Sequence, residues 1–139
     1  MNEPMSESTR ERHRHAPIAA DHVRLKRAYE AADARDGTRV LIDRLWPRGV
    51  SKQAAALDLW LKELAPSTEL RQWFGHDAAR WAEFQQRYAE ELRGHADPFE
   101  QLRDLARQGT VTLVYAARDE RHNDAVVLRD LLLGRKPGG

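Results

Sequence analysis

At 139 residues the chain can bury one sizeable core but is short for two, so a single domain is expected. Its 23 lysines and arginines against 22 acids leave a net charge of +1, which excludes global recruitment to nucleic acid or an anionic membrane and confines anion binding to local clusters. The absence of cysteine excludes disulfides, thiolate zinc sites and a cysteine nucleophile.

No run reaches the length of a membrane span, and the start of the chain lacks the apolar segment of a secretion signal, so a cytoplasmic location away from membranes is expected. Residues 1–21 are polar and aperiodic and read as a tail, in which Arg12-His13-Arg14-His15 is more simply solvated than a phosphate or metal ligand. The folded domain is expected over 22–134, with 135–139 as a C-terminal tail.

Val23 and Leu25 alternate with Arg24 and Lys26, which predicts a strand that ends at Arg27-Ala28-Tyr29. A polar connection with Asp36-Gly37 as its turn leads to Arg39-Val40-Leu41-Ile42-Asp43. The unbroken apolar run predicts a strand covered on both faces. Trp46 then packs as core or as a lid, Pro47 holds it extended, and Gly49 permits the turn. Ser51 caps a short helix over 52–56, while Leu57 to Leu64 either continues it or runs irregularly.

Ser67 caps a helix from Thr68 to Phe74, closed by Gly75. Asp77 caps the longest helix, 78–93, with Trp81, Phe84, Tyr88 and Leu92 on one face. Asp97-Pro98 opens another helix through Gln108, with Phe99, Leu102, Leu105 and Ala106 inward. Val111–Tyr115 reads as a second buried strand, followed by a polar loop to Asn123 and a final helix over 124–133. The sum is an α/β fold: a small, mostly parallel sheet of about three strands flanked by helices. The direction of the first strand is open, because its link to the second has no helix and is short for a parallel crossover.

Parallel strands would deliver Asp43, Arg44 and Arg48 to the same sheet edge as Arg118, Asp119 and His122, where open α/β sheets place ligands. Arg44 and Arg48 can fork onto a carboxylate or phosphate, and Lys52 adds a charge nearby. The plainer alternative is that one arginine neutralises Asp43. Asp43 and His122 are the candidate catalytic acid and base, with Asp119 or Asp43 orienting the histidine. A loop histidine that merely caps the last helix is the structural alternative. Arg27 and Tyr29 join the candidate ligand-binding set if the first strand runs the same way. His76-Asp77 and His95 with Asp97 flank helix ends and no metal site is expected; nothing names a cofactor. The helical spacing of Trp73, Trp81, Phe84 and Tyr88 favours packing over base stacking, and Trp60 is read with them.

The ordered blocks LKRAY, GTRVLIDRLWPRGVSK, DLWLKELAPSTELRQWFGHD, WAEFQQRYAEEL and VTLVYAARDERHNDAVVL resemble the YeaO-like branch of domain-of-unknown-function family 488, over roughly His22 to Leu133. The resemblance implies a compact α/β fold and carries no settled activity. Its polar pattern falls on Lys26, Arg27, Tyr29, Asp43, Arg44, Arg48, Gly49 and Lys52, and on the loop with Asp119, His122 and Asn123. Wider members often have cysteine and histidine around that loop; this chain has His122 and no cysteine, which counts against a thiol-dependent mechanism. The expected function is an anion-binding pocket at the strand carboxyl ends, extending to an enzyme acting on a phosphate- or carboxylate-bearing metabolite. The alternative is a nucleic-acid-binding or regulatory module.

Overall fold

The computed structural model describes residues 17–136. Most of the expected N-terminal tail, with the Arg12–His15 run, and residues 137–139 lie outside the described residues. The last part of that segment is structured: Ile18 packs on the core, and a 3-10 turn at Ala20–His22 precedes the sheet. His22 Nδ1 lies 2.7 Å from the Ala106 carbonyl oxygen, which ties the start of the sheet to a helix 84 residues further along the chain.

Four parallel strands form the sheet: β1 (Val23–Arg27), β2 (Thr38–Leu41), β3 (Leu59–Trp60) and β4 (Val111–Tyr115), in the order β1-β4-β2-β3. The α/β class is as the sequence reads, with one strand more than expected. The extra strand is the two-residue β3, which resolves the ambiguous segment after Leu57 and takes Trp60 out of the helical set. β1 runs parallel to β4, with Val23 opposite Val111 and Arg27 opposite Tyr115. The short link from β1 to β2 is possible because it crosses β4 as loop and a single 3-10 turn at Ala34–Asp36, pressed onto the sheet.

Strand alternation divides the sheet into two differently covered faces. Val23, Val40, Ile42, Val111, Leu113 and Tyr115 face the main core, built with helices α2 (Thr68–Phe74), α3 (Trp81–Arg93), α4 (Ala96–Gln108) and α5 (Asp124–Leu132). Leu41 and Val114 point the other way, against Ala28, Trp46, Val50, Leu57 and Trp60. Val40, Leu41 and Ile42 are all fully buried, as an unbroken apolar strand covered on both faces requires. Ser51 caps α1 (Lys52–Ala55) and Ser67 caps α2, each accepting a backbone N–H. Asp77 caps a 3-10 turn at Ala78–Arg80 that leads into α3. Among the described residues no helix is long and apolar enough to cross a membrane.

The crossover is held by charge. Asp36 is wholly buried beneath β1 and β2, where its carboxylate meets Arg39 Nη1 at 2.6 Å, Lys26 Nζ at 3.2 Å and Arg24 Nη1 at 3.5 Å. Burial pushes this carboxyl up, but the Asp33 N–H and the Lys26 and Arg39 hydrogen bonds outweigh it and hold the group below the usual carboxylate range. Thr112 on β4 donates to the Asp36 carbonyl at 2.7 Å, so the loop is fastened to all three strands that it spans. Gly37 has φ +61° and lies against Thr110, where a Cβ would come within 2.2 Å of the carbonyl oxygen. Only glycine fits there.

Candidate active site

Parallel β2 and β4 end at one edge of the sheet, and a cavity of about 680 Å³ opens there. Asp43 follows β2, and Asp124 is the first residue of α5, reached through the loop that leaves β4. Both carboxyls line the cavity and hydrogen-bond to each other. Each is also held by a backbone donor: Asp43 Oδ2 accepts the Ala116 N–H at 2.8 Å, and Asp124 Oδ1 accepts the Ala125 N–H at 3.0 Å. Trp60 Nε1 donates to the Asp43 carbonyl at 2.7 Å, so the edge strand fixes the backbone from which Asp43 projects.

Two carboxyls in contact cannot both ionise cheaply, so the pair holds a proton. Burial pushes Asp124 well above the usual range, and the Asp43 charge and the hydrogen bond to Asp43 push the same way. Burial also raises Asp43, against the pull of the Asp124 hydrogen bond, the Ala116 N–H and the Arg71 charge. The two carboxyls therefore share one proton and one negative charge between them. Tyr88 lies close by; burial first, then the charges of Asp124, Asp43 and Glu91, push its phenol well above the ordinary value. Its hydroxyl donates to the Leu64 carbonyl, so it stays protonated and structural.

Neither Arg44 nor Arg48 pairs with Asp43, which removes the simple neutralisation reading of the turn. Arg44 reaches the Pro66 carbonyl at 3.4 Å, a long bond. Trp46 is anchored by its Nε1 donating to the Val50 carbonyl at 2.6 Å and by edge contact with Trp60, ring centroids 5.6 Å apart. Gly49, at φ +79°, closes the turn that Trp46 braces. Arg44, Arg48, Arg71 and Arg118 all line the cavity, and among the described residues none of the four makes an ion pair within 4 Å. Apolar wall comes from Phe74 and Phe84, stacked at 4.4 Å, and from Ala65 and Pro66.

His122 also lines the cavity, with its Nδ1 2.9 Å from Asp119 Oδ2 and its ring edge-on to Trp81 at 5.1 Å. Asp119, not Asp43, is its partner. The His122 hydrogen bond, followed by the Arg121 N–H, holds the Asp119 carboxyl below the usual range. Asp119 also accepts the Arg121 and His122 backbone N–H groups, so it forms the turn as well as orienting the ring. Helix capping belongs to Asn123, whose Oδ1 accepts the Val126 N–H at 3.0 Å and whose Nδ2 donates to the Asp119 carbonyl at 2.9 Å.

Of the residues singled out in the sequence, Asp43, Arg44, Arg48, Asp119, His122, Asn123 and Tyr29 meet at this cavity. Arg27 lines only a shallower hollow beside it, its guanidinium donating to the Ala117 and Ala116 carbonyls at 2.9 and 3.3 Å. Lys52 is exposed on α1 and lines neither. Sequence reasoning missed Asp124 and Arg71. An acid opening a helix reads as a favourable charge at its N-terminus, and only its position after a strand-end loop could have marked it out. Arg71 gives no sequence signal, because it reaches the sheet edge from the middle of α2.

Residues 22–136 match the model of a family described as "Inactive DUF488-N3 subclade". The chain is 43% identical over 111 residues to the uncharacterized protein YeaO of Escherichia coli (strain K12), covering 80% of this chain and 96% of that protein. It is 45% identical over 118 residues to the uncharacterized protein Rv3073c of Mycobacterium tuberculosis (strain ATCC 25618 / H37Rv), covering 85% and 99%, and equally to the uncharacterized protein Mb3100c of Mycobacterium bovis (strain ATCC BAA-935 / AF2122/97). No solved structure matches the chain significantly.

Proposed function

Because the chain belongs to the DUF488 family, in the DUF488-N3 subclade described as inactive, we propose that its cavity binds a small anionic molecule bearing phosphate or carboxylate and does not turn it over. The observation that carries this reading is the set of four arginines on one partly apolar cavity, none with a carboxylate partner within ion-pair distance among the described residues. Against them stand Asp43, Asp119 and Asp124, and the shared proton leaves two negative charges among the three. The balance favours an anion. Guanidinium groups suit this role because they stay charged when a ligand displaces their water and offer paired donors to a planar or tetrahedral oxyanion.

The test is calorimetric titration of the full chain with inorganic phosphate, pyrophosphate and a set of small dicarboxylates. Each charge-assisted contact contributes about 1.5–3 kcal/mol, so Arg118→Ala and Arg71→Ala should each weaken binding by roughly 10- to 100-fold. Equal affinity in both variants and the parent protein would remove the cavity from consideration.

Two features support a second reading in which the ligand is chemically altered: a proton-sharing carboxyl pair and an Asp119-oriented histidine face the same space. Proton NMR of bound metabolites over time decides between the two. Conversion that disappears in His122→Gln would support catalysis; unchanged spectra support binding alone.

A further inference from the structure

Resting on the anion-binding reading, we infer that the ligand is a nucleoside di- or triphosphate, with its base stacked on Tyr29 and its phosphate chain running past Arg48 and Arg118 into the main cavity. The inference comes from the second, shallower hollow. It has a volume of about 350 Å³, is lined by Arg27, Tyr29, Arg48, Ala116 and Arg118, and shares Tyr29, Arg48, Ala116 and Arg118 with the main cavity. The two hollows adjoin, and Arg48 and Arg118 line both.

Tyr29 is 49% exposed, one of two large apolar or aromatic side chains left open to solvent among the described residues. Packing does not explain it. The Arg27 guanidinium lies 5.0 Å from the centre of its ring, and that guanidinium is fixed in turn by the Ala116 and Ala117 carbonyls. A cation held against one face of a tyrosine leaves a braced platform on which a flat heterocycle can stack. An exposed aromatic ring beside a basic groove is the arrangement that the helical tryptophans lack, since Trp73 and Trp81 pack against the core.

The spacing of functions across the two hollows then selects the ligand class. A lone oxyanion would use only the arginines, and a neutral nucleoside only the platform. Arg48 and Arg118 line both hollows and Arg44 and Arg71 line the larger one, an arrangement that suits a chain of two or three phosphates attached to a base. Four guanidinium groups, even offset by the two carboxylate charges beside them, offer more paired donors than a single phosphate can use.

The experiment titrates the full chain calorimetrically with pyrophosphate, ADP, ATP, AMP, and a 5′-phosphorylated single-stranded hexanucleotide, in the parent protein and in Tyr29→Ala and Arg118→Ala. The expected result is that ADP or ATP binds at least 10-fold more tightly than pyrophosphate and than AMP. Tyr29→Ala should erase the advantage over pyrophosphate by weakening ADP and ATP at least 10-fold more than pyrophosphate, and Arg118→Ala should weaken both. ADP and ATP binding no better than pyrophosphate, or a Tyr29→Ala variant that keeps the advantage, overturns the inference while leaving the anion site standing. If no phosphate compound binds, both fall. Tight, salt-sensitive binding of the hexanucleotide with none of free nucleotides also overturns it, in favour of nucleic acid.

Discussion

The carboxyl pair makes a prediction about stability that needs no ligand. In Asp124→Asn the side-chain oxygen can still accept the Ala125 N–H, and an amide donor takes the place of the shared proton against Asp43. In the parent protein, the folded state keeps a proton that the unfolded chain releases near the ordinary carboxylate pKa of about 3.9. A carboxyl raised on folding binds more protons folded than unfolded. Its stabilising contribution is therefore complete below about pH 4 and declines as pH rises toward the folded pKa. The slope for one proton is about 1.4 kcal/mol per pH unit wherever the folded state holds the proton and the unfolded chain has released it. Asp124→Asn has no such proton, so its stability relative to the parent should climb by about 1.4 kcal/mol per pH unit across that window. Urea unfolding at half-unit pH intervals measures it through the midpoint, provided the dependence on denaturant stays constant. Parallel profiles for parent and variant would refute the shared proton. Asp119→Asn supplies the opposite sign: its carboxyl is lowered on folding, so the parent should lose the Asp119 contribution only as pH falls through the carboxylate range.

Replacing Asp36 by asparagine strands Arg39 and Lys26 beside an uncharged partner under the sheet, and should cost about 3–5 kcal/mol in urea unfolding. Gly37→Ala forces a Cβ against the Thr110 carbonyl at a backbone angle that disfavours side chains; a loss of about 3 kcal/mol is expected by the same measurement. Tyr88→Phe leaves the buried Leu64 carbonyl without its donor and should lower stability by about 1–2 kcal/mol, with no change in phosphate affinity in calorimetric titration.

The sheet interior and the helix starts were legible because each is written in local chemistry. Val40-Leu41-Ile42 is a continuous apolar run and Val111–Tyr115 is rich in β-branched residues and apolar but for Thr112, and the oxygens of Ser51, Ser67 and Asp77 meet backbone donors a few residues on. β3 was not legible: two residues carry no period, and Leu59-Trp60 becomes a strand only because Val40 and Leu41 offer a free edge. Asp36 looked like a turn former beside glycine and is in fact the buried anchor of three basic side chains brought from two strands. The site divides in the same way. Asp43 and His122 were visible as polar residues at strand ends, whereas Asp124 and Arg71 join them through helix placement, which no spacing in the chain encodes.

The strand made last is a middle strand of the sheet. Until residues 111–115 have left the ribosome, β1 and β2 have no strand to lie between them, because each pairs with β4 and not with the other. Only the short β2–β3 pairing can close earlier; the two pairings that join β1 to the rest of the sheet both wait for β4, a high-contact-order arrangement in which helices can form early and most of the sheet must wait. A nascent or truncated chain ending before Val111 exposes the apolar edge of Val40 and Leu41 with nothing to cover it. Completion of β4 joins the strands and brings Ala116 to Asp43 in one event, so the sheet and the floor of the cavity form together.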